Sequence, residues 1–227
     1  MADPDAYVAL VASLPGSERL FVAKQPPLSR IRLDRRLRAL SPEDAETLSV
    51  LEGALSWSSY GMEVSDAEAT ARGRAALARV PQPTLRALLA ERLEVRTAVA
   101  AIRRRLAGVP APTGAWGFGR YRRRIVARWS EPTFGLDRPY PWMREAVRLA
   151  EARETLDLER HLLEQTYRMM RRHGAAHQFD FEAVAIYVLT WNIFDRWART
   201  NAEAATRRFE ALTLEALSDF PELRAET

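Results

Sequence analysis

Apolar residues recur at intervals of three and four positions along most of the chain, which is the spacing of one face of an α-helix. The clearest segment covers residues 84–106, with leucine, valine or isoleucine at 85, 88, 89, 93, 99 and 102. A second begins after Asp180, where one side carries Phe181, Val184, Val188, Trp191 and Phe194. No region shows the period-two alternation of several strands. The pattern predicts an all-α fold, an irregular multi-helix bundle with two long C-terminal helices.

Helix boundaries are indicated by capping residues. Ser41 and Ser65 each precede acidic residues, and a serine oxygen can accept a hydrogen bond from an unpaired N–H of the first turn. We expect helices over 42–57 and 66–80. The two long C-terminal helices should run over 141–172 and from 181 onward, with Gly174 ending the first and Asp180 capping the second. A seven-residue repeat supports the first of them: Leu149, Leu156, Leu163 and Met170.

Glycine and proline fall mostly between the periodic segments. The stretch 108–114, GVPAPTG, follows the strongest helix, and a short basic helix is expected within 116–129. We interpret residues 1–227 as a single helical domain with a hinge at 108–119 between its N-terminal and C-terminal halves. The apolar run 7–14 fits either a strand or a helical turn, because it is too short for periodicity to decide.

The composition excludes most kinds of catalytic site. The chain has 227 residues, no cysteine and three histidines, which excludes disulfides, zinc–thiolate sites, iron–sulfur clusters and thiol nucleophiles. No glycine-rich loop followed by lysine indicates a nucleotide site, and no Ser–His–Asp arrangement can be proposed. His173 and His177 have the spacing of helical zinc ligands, but Gly174 between them predicts a helix end. We therefore predict no catalytic residue, cofactor or metal, and a protein that is not an enzyme.

Arginine dominates the charge. Of the 34 basic residues 33 are arginine, against 30 acidic residues, and the net charge is +4. Two clusters are candidates for partner binding: Arg103, Arg104 and Arg105, and Arg120, Arg122, Arg123 and Arg124. They could contact an acidic protein or an anionic membrane surface, or nucleic acid with stacking on Trp116, Phe118 and Trp129, or they could be solvated surface charge. Because no nucleic-acid motif is visible, we do not expect nucleic acid as the partner.

The N-terminal region lacks the pattern of a secretory signal. Asp3 and Asp5 precede the first apolar run, where a signal peptide carries positive charge. No apolar stretch approaches the ~20 residues that a membrane-spanning helix needs. We expect a cytoplasmic protein.

Three segments resemble a small uncharacterised bacterial family whose members are encoded among the subunits of V-type ATP synthases. They are residues 7–15 (YVALVASLP) with 25–28 (QPPL), residues 177–184 (HQFDFEAV) continuing to 195–197 (DRW), and residues 94–97 (EVRT) with 100–105 (AAIRRR). They occur in the family's order and span most of the chain.

The family looks distantly similar to the funnel-shaped C-type component of the rotary ATPase (d-type in eukaryotes), which joins the central shaft to the membrane rotor ring. The repeats of that funnel component carry arginine near an acidic residue or asparagine, and Glu94–Arg96 and Asn192–Asp195–Arg196 are the corresponding places. This chain has two such segments rather than three. The resemblance implies a non-catalytic coupling or assembly subunit of a proton- or ion-transporting V-type ATPase. Its partners would be other subunits at the central stalk or rotor ring, peripheral to the inner membrane.

A different functional class remains open, namely a helical nucleic-acid-binding or regulatory adaptor.

Two further expectations concern side chains. Trp191 and Phe194 should be buried in the bundle. Glu94 and Arg96 cannot face each other two positions apart on a helix, and Asp195 and Arg196 have the same difficulty. Arg96 and Arg196 should therefore pair with carboxylates outside their own helices.

Overall fold

The computed structural model describes the backbone of residues 4–16, 20–22, 25–56 and 65–219, and in this part of the chain it contains helices and no strand. The all-α prediction is confirmed. The helices are α1 (Pro4–Ala12), α2 (Arg30–Leu37), α3 (Pro42–Leu55), α4 (Asp66–Arg79), α5 (Pro83–Leu106), α6 (Arg122–Ala127), α7 (Met143–Glu151), α8 (Thr155–Gly174) and α9 (Phe181–Asp219).

The predicted caps are present. Ser41 Oγ accepts a hydrogen bond from the Asp44 N–H, and Ser65 Oγ accepts one from the Glu68 N–H, each at 3.2 Å. Asp180 Oδ1 accepts one from the Ala183 N–H at 2.9 Å. The run 7–14, whose sequence fits either strand or helix, lies mostly in α1. Residue 57, the expected end of the helix that begins at 42, lies outside the described residues.

The single helix expected over 141–172 is wrong. The chain leaves helical geometry after Glu151 and re-enters it at Thr155, with Arg153 in the left-handed region at φ 58°. The N–H of Glu154 donates to the Leu149 carbonyl at 3.0 Å and closes the turn. The break also removes Leu156 from the seven-residue repeat, and its side chain is exposed instead of buried.

The main core surrounds the first half of α9. Its buried residues include Leu48 and Leu51 of α3, Leu85, Leu88, Leu89 and Leu93 of α5, and Val184, Val188 and Phe194 of α9. Trp191 and Phe194 are 4% and 3% exposed, as expected. Trp191 Nε1 also donates a hydrogen bond to the Leu28 carbonyl at 2.8 Å, which ties the segment before α2 to α9.

A smaller core continues from the second half of α5. Ala98, Ala101 and Ile102 pack there against residues that follow α5 in the chain: Trp116, Ile125, Phe134, Leu136 and Met143. α5 therefore carries both cores along one continuous helix.

None of the helices in the described ranges has the length and apolar character needed to cross a membrane.

Candidate functional site

Polar residues form one stripe along the first half of α9. Asn192, Asp195, Arg196 and Arg199 stand at i, i+3, i+4 and i+7, so they share a face. On α5, the residues Arg92, Arg96 and Arg103 lie within about 40° of one another around the axis. Two polar stripes thus run along the helices that form the main core.

The stripes meet at a cleft of about 840 Å³. We call it the polar cleft. Its walls come from Arg30, the C-terminal part of α3, and α5, α8 and α9. Among the described residues, the cleft is lined by the charged and amide side chains of Arg30, Glu52, Arg92, Arg103, Glu159, Asn192, Asp195, Arg196 and Arg199. Its apolar lining includes Leu55, Met170, Leu189 and Ile193.

At one end of the cleft, Glu52 forms hydrogen bonds with residues of two other helices. Its carboxylate accepts hydrogen bonds from Arg30 Nη1 at 2.6 Å and Nη2 at 3.0 Å, and from Asn192 Nδ2 at 3.0 Å. Burial raises the pKa of Glu52, but the hydrogen bonds from Arg30 and Asn192 outweigh it and hold that pKa below its usual range. Glu52 therefore stays ionised and links α2, α3 and α9.

Two more carboxylates in the cleft are paired. Arg196 Nε donates to Glu159 Oε1 of α8 at 2.7 Å, which is the pairing outside its own helix that we expected for Arg196. Asp195 instead pairs with Arg199 of the same helix at 2.6 Å. Arg96 Nη1 donates to the backbone carbonyl of Ala54 at 2.9 Å, and the carboxylate partner that we expected for Arg96 stays a prediction.

Arg92 is the buried charge of the cleft. Its side chain is 6% exposed although it lines the cavity. The pKa of Arg92 is lowered to about 9, chiefly by burial and also by the nearby Arg96, while Glu159 opposes both effects. The guanidinium remains protonated at neutral pH, but burial makes its charge costly.

Glu94 lies on another side of α5, away from the polar cleft. It is 9% exposed, and its Oε1 accepts a hydrogen bond from the backbone N–H of Arg120 at 2.8 Å. Thr97 Oγ1 accepts one from the Phe118 N–H at 2.8 Å. Gly117 and Gly119 have positive φ angles, and a Cβ at either would overlap Thr97 or Glu94. The glycines of this loop thus allow close approach to α5, at the C-terminal end of the segment we interpreted as a hinge.

The three arginines of the cluster 103–105 lie in three different environments. Arg103 lines the polar cleft. Arg104 pairs with Asp66 of α4 at 2.5 Å, and Arg105 pairs with Glu151 of α7 at 3.1 Å. Two of these three partner-binding candidates therefore have carboxylate partners within the chain.

The second cluster lies at the surface, and we call it the α6 basic surface: Arg120, Arg123 and Arg124, which are exposed, and Arg122, which is half-buried. Arg120 and Arg124 lie over the Tyr121 ring, with guanidinium carbons 5.0 and 6.0 Å from its centroid. Within the described residues, no carboxylate lies at ion-pair distance from Arg122, Arg123 or Arg124; Arg120 Nε is 3.9 Å from Glu94.

The histidines have hydrogen-bond partners. His173 Nε2 lies 2.8 Å from Glu91, and His161 Nε2 lies 2.9 Å from the Trp142 carbonyl. His177, Asp180 and Glu182 could each offer a metal-ligand atom within 4.8 Å. However, both nitrogens of His177 already contact Asp180 and Thr84, at 2.7 and 3.0 Å, and Asp180 caps α9. We interpret this group as a helix-capping network.

The sequence alone did not identify four residues that line the polar cleft together: Arg30, Glu52, Arg92 and Glu159. A signal existed for Arg92, which occupies a core position between Leu89 and Leu93 of an amphipathic helix. Arg30 and Glu52 gave no comparable signal, because charged residues at exposed helix positions are common.

Comparisons of the chain with protein-family models, curated proteins and solved structures gave no match.

Proposed function

We propose that the protein is a non-catalytic subunit or assembly factor of a V-type rotary ATPase, which couples or docks the stalk to the membrane rotor. The observation that carries the proposal is the α6 basic surface, where Arg120, Arg123 and Arg124 are exposed and the loop before them is anchored to α5. The identity of the complex is inferred from the resemblance of three segments to proteins encoded with V-type ATP synthases.

The chemistry of the surface favours an acidic protein partner. Guanidinium groups bind carboxylates through two parallel hydrogen bonds, which gives orientation as well as attraction. Arg122, Arg123 and Arg124 have no carboxylate partner within the described residues, so their donors are available to another molecule. A subunit of the central stalk or rotor ring with an acidic face would fit, and anionic lipid at the membrane surface is a second contact that the charge allows.

The anchoring of the surface also suits docking. The N–H of Arg120 is held by the buried Glu94, and Ile125 of α6 is buried in the smaller core. Arginines on a fixed element lose less conformational entropy on binding than arginines on a loose segment. The surface therefore presents its charge in one arrangement.

The experiment is affinity purification of the tagged protein from its native cell, followed by identification of the proteins that co-purify. One half of the lysate is treated with nuclease, and the tag alone serves as the control. The proposal predicts ATPase subunits in both halves and not with the tag alone. Recovery of nucleic acid with partners that nuclease removes, and without ATPase subunits, would overturn it in favour of a nucleic-acid adaptor.

A further inference from the structure

Apolar side chains are exposed where α5 ends and where α6 ends. Leu106, the last residue of α5, is 40% exposed, and Val109, on the turn that follows it, is 37% exposed. Val126 of α6 is also 37% exposed. A single exposed aliphatic side chain is ordinary, whereas several that lie together mark an interaction surface.

Trp129 connects the two helix ends. Its Nε1 donates a hydrogen bond to the Val109 carbonyl at 3.3 Å, and its ring centroid lies 5.4 Å from that of Phe134 in the smaller core. The Val109 N–H in turn donates to the Arg104 carbonyl at 3.0 Å, which closes the end of α5. Trp129 itself is half-buried and follows Val126 by three positions. We call four residues the apolar edge: Leu106, Val109, Val126 and Trp129.

The apolar edge belongs to a strongly basic part of the chain. Residues 95–130 contain nine arginines and neither aspartate nor glutamate. Arg122 and Arg123 precede Val126 by four and three positions, so they are its neighbours on the surface of α6. Four of the nine arginines lie at ion-pair distance from carboxylates outside this segment: Arg104, Arg105, Arg120 and Arg128.

This combination of side chains matches the surface of an anionic lipid bilayer. An arginine binds lipid phosphate through its guanidinium while its aliphatic stem covers apolar surface. Tryptophan is enriched at the boundary between membrane and water, and exposed aliphatic residues beside basic ones bury themselves among the headgroups and acyl chains. A partner that offered carboxylates alone would use the arginines and leave the apolar edge in water.

We propose that the apolar edge and the α6 arginines beside it bind a bilayer that contains anionic phospholipid. Arg122 and Arg123 contact the phosphates, while Val109 and Val126 enter the boundary between headgroups and acyl chains. The inference deepens the proposed function, on which its membrane setting rests, and it names lipid as the second contact of the α6 basic surface.

The test is co-sedimentation of the purified protein with vesicles at fixed ionic strength. One vesicle is phosphatidylcholine alone, and the other contains phosphatidylcholine and phosphatidylglycerol in equal amounts. Val109→Ser/Val126→Ser removes apolar surface and leaves the net charge unchanged. Val8→Ser/Val22→Ser is the matched control, because these two valines are exposed in other segments. Circular dichroism checks that all the proteins are folded.

We expect the wild type to bind the mixed vesicles and to bind phosphatidylcholine only weakly, because lipid charge attracts the arginines. Val109→Ser/Val126→Ser should weaken binding to the mixed vesicles by at least about threefold, since apolar contact is lost. Val8→Ser/Val22→Ser should bind as the wild type does. Absence of binding to the mixed vesicles, equal binding to both vesicles, or equal affinity of the two valine variants would each overturn the proposal.

Arg123→Gln/Arg124→Gln tests the charge in the same assay. Loss of two cations beside anionic headgroups should weaken binding to the mixed vesicles by at least about tenfold. Arg74→Gln/Arg171→Gln removes the same charge at exposed positions on other helices and should bind nearly as the wild type does. Equal losses in the two arginine variants would show attraction by net charge alone and would overturn the proposal.

The vesicle assay and the affinity purification fail separately. Recovery of ATPase subunits by a protein that does not bind the mixed vesicles would overturn the lipid contact and leave the proposed function in place. Binding to the mixed vesicles with the losses expected for the variants, but without recovery of ATPase subunits, would support the lipid contact and overturn the proposed function.

Discussion

Glu94 Oε1 accepts a hydrogen bond from the backbone N–H of Arg120 at 2.8 Å, and this contact fixes the start of the α6 basic surface to α5. The acceptor is buried and the donor belongs to a residue whose side chain is exposed. Gly119, just before Arg120, has φ +88° and no space for a Cβ beside the Glu94 carboxyl. The glycine therefore allows the loop to approach Glu94.

Gly119→Ala should lower the free energy of unfolding by ~1–3 kcal/mol, because alanine is strained in the left-handed region and its Cβ would displace Glu94. Urea denaturation measures the loss.

Gly114→Ala separates the two causes of that loss. Gly114 has φ +74°, but nothing lies within 4 Å of the Cβ position. Gly114→Ala should therefore lower the free energy of unfolding only through backbone strain, by about 1 kcal/mol. Equal losses for the two variants would show that the approach of Gly119 to Glu94 contributes nothing.

Trp191 should be the side chain whose truncation costs most among those of the α9 core stripe. Trp191→Ala removes a buried ring and the hydrogen bond to Leu28, and we expect a loss of ~3–5 kcal/mol in the free energy of unfolding. Trp191→Phe keeps most of the volume and should cost less. A loss below about 1 kcal/mol for Trp191→Ala would contradict its place in the core.

Glu52 should make stability depend on pH. Its pKa in the folded chain lies below the ordinary value of 4.5, so its contribution is fully present above that pH and is lost as the pH falls toward the folded-state pKa. Glu52→Gln should destabilise the protein by roughly 1–3 kcal/mol near neutral pH and by less in acid.

Urea denaturation near neutral pH and in acid measures this difference, because the contribution of ionised Glu52 is lost as the pH falls toward its lowered folded-state pKa. Glu46→Gln on the same helix is the control, since its side chain is 68% exposed and surface pairs contribute little. If the gap between the wild type and Glu52→Gln were the same at both pH values, the ionised pair with Arg30 would not stabilise the fold.

Much of the fold could be predicted from sequence because its signals are local. Ser41, Ser65 and Asp180 act on N–H groups three residues away, so reading the chain in order is enough to find them. The break between α7 and α8 gave no such signal. Arginine at position 153 is an ordinary helix former, and only the packed turn requires its left-handed geometry.

The polar cleft was less accessible to sequence reasoning because helices distant in the chain build it. Glu52 and Asn192 are 140 positions apart, and nothing in either neighbourhood indicates the other. The family resemblance points to the Asn192–Asp195–Arg196 stripe, but Glu159, the partner of Arg196, carries no sequence signal of that pairing. Long-range pairing of charges depends on tertiary packing, which periodicity does not describe.

The α6 basic surface gives the most direct test of the proposed function, through the variant Arg122→Glu/Arg123→Glu. The measurement is recovery of ATPase subunits with the tagged wild type, with this variant, and with Arg74→Glu/Arg171→Glu, which changes net charge equally at exposed positions elsewhere. Melting temperatures should remain close, because Arg123 is exposed, Arg122 is only half-buried, and neither makes an ion pair within the described residues. We predict that the α6 variant loses the subunits at matched salt while the control retains them. Equal recovery with all three proteins, or no ATPase subunit with the wild type, would contradict the proposal.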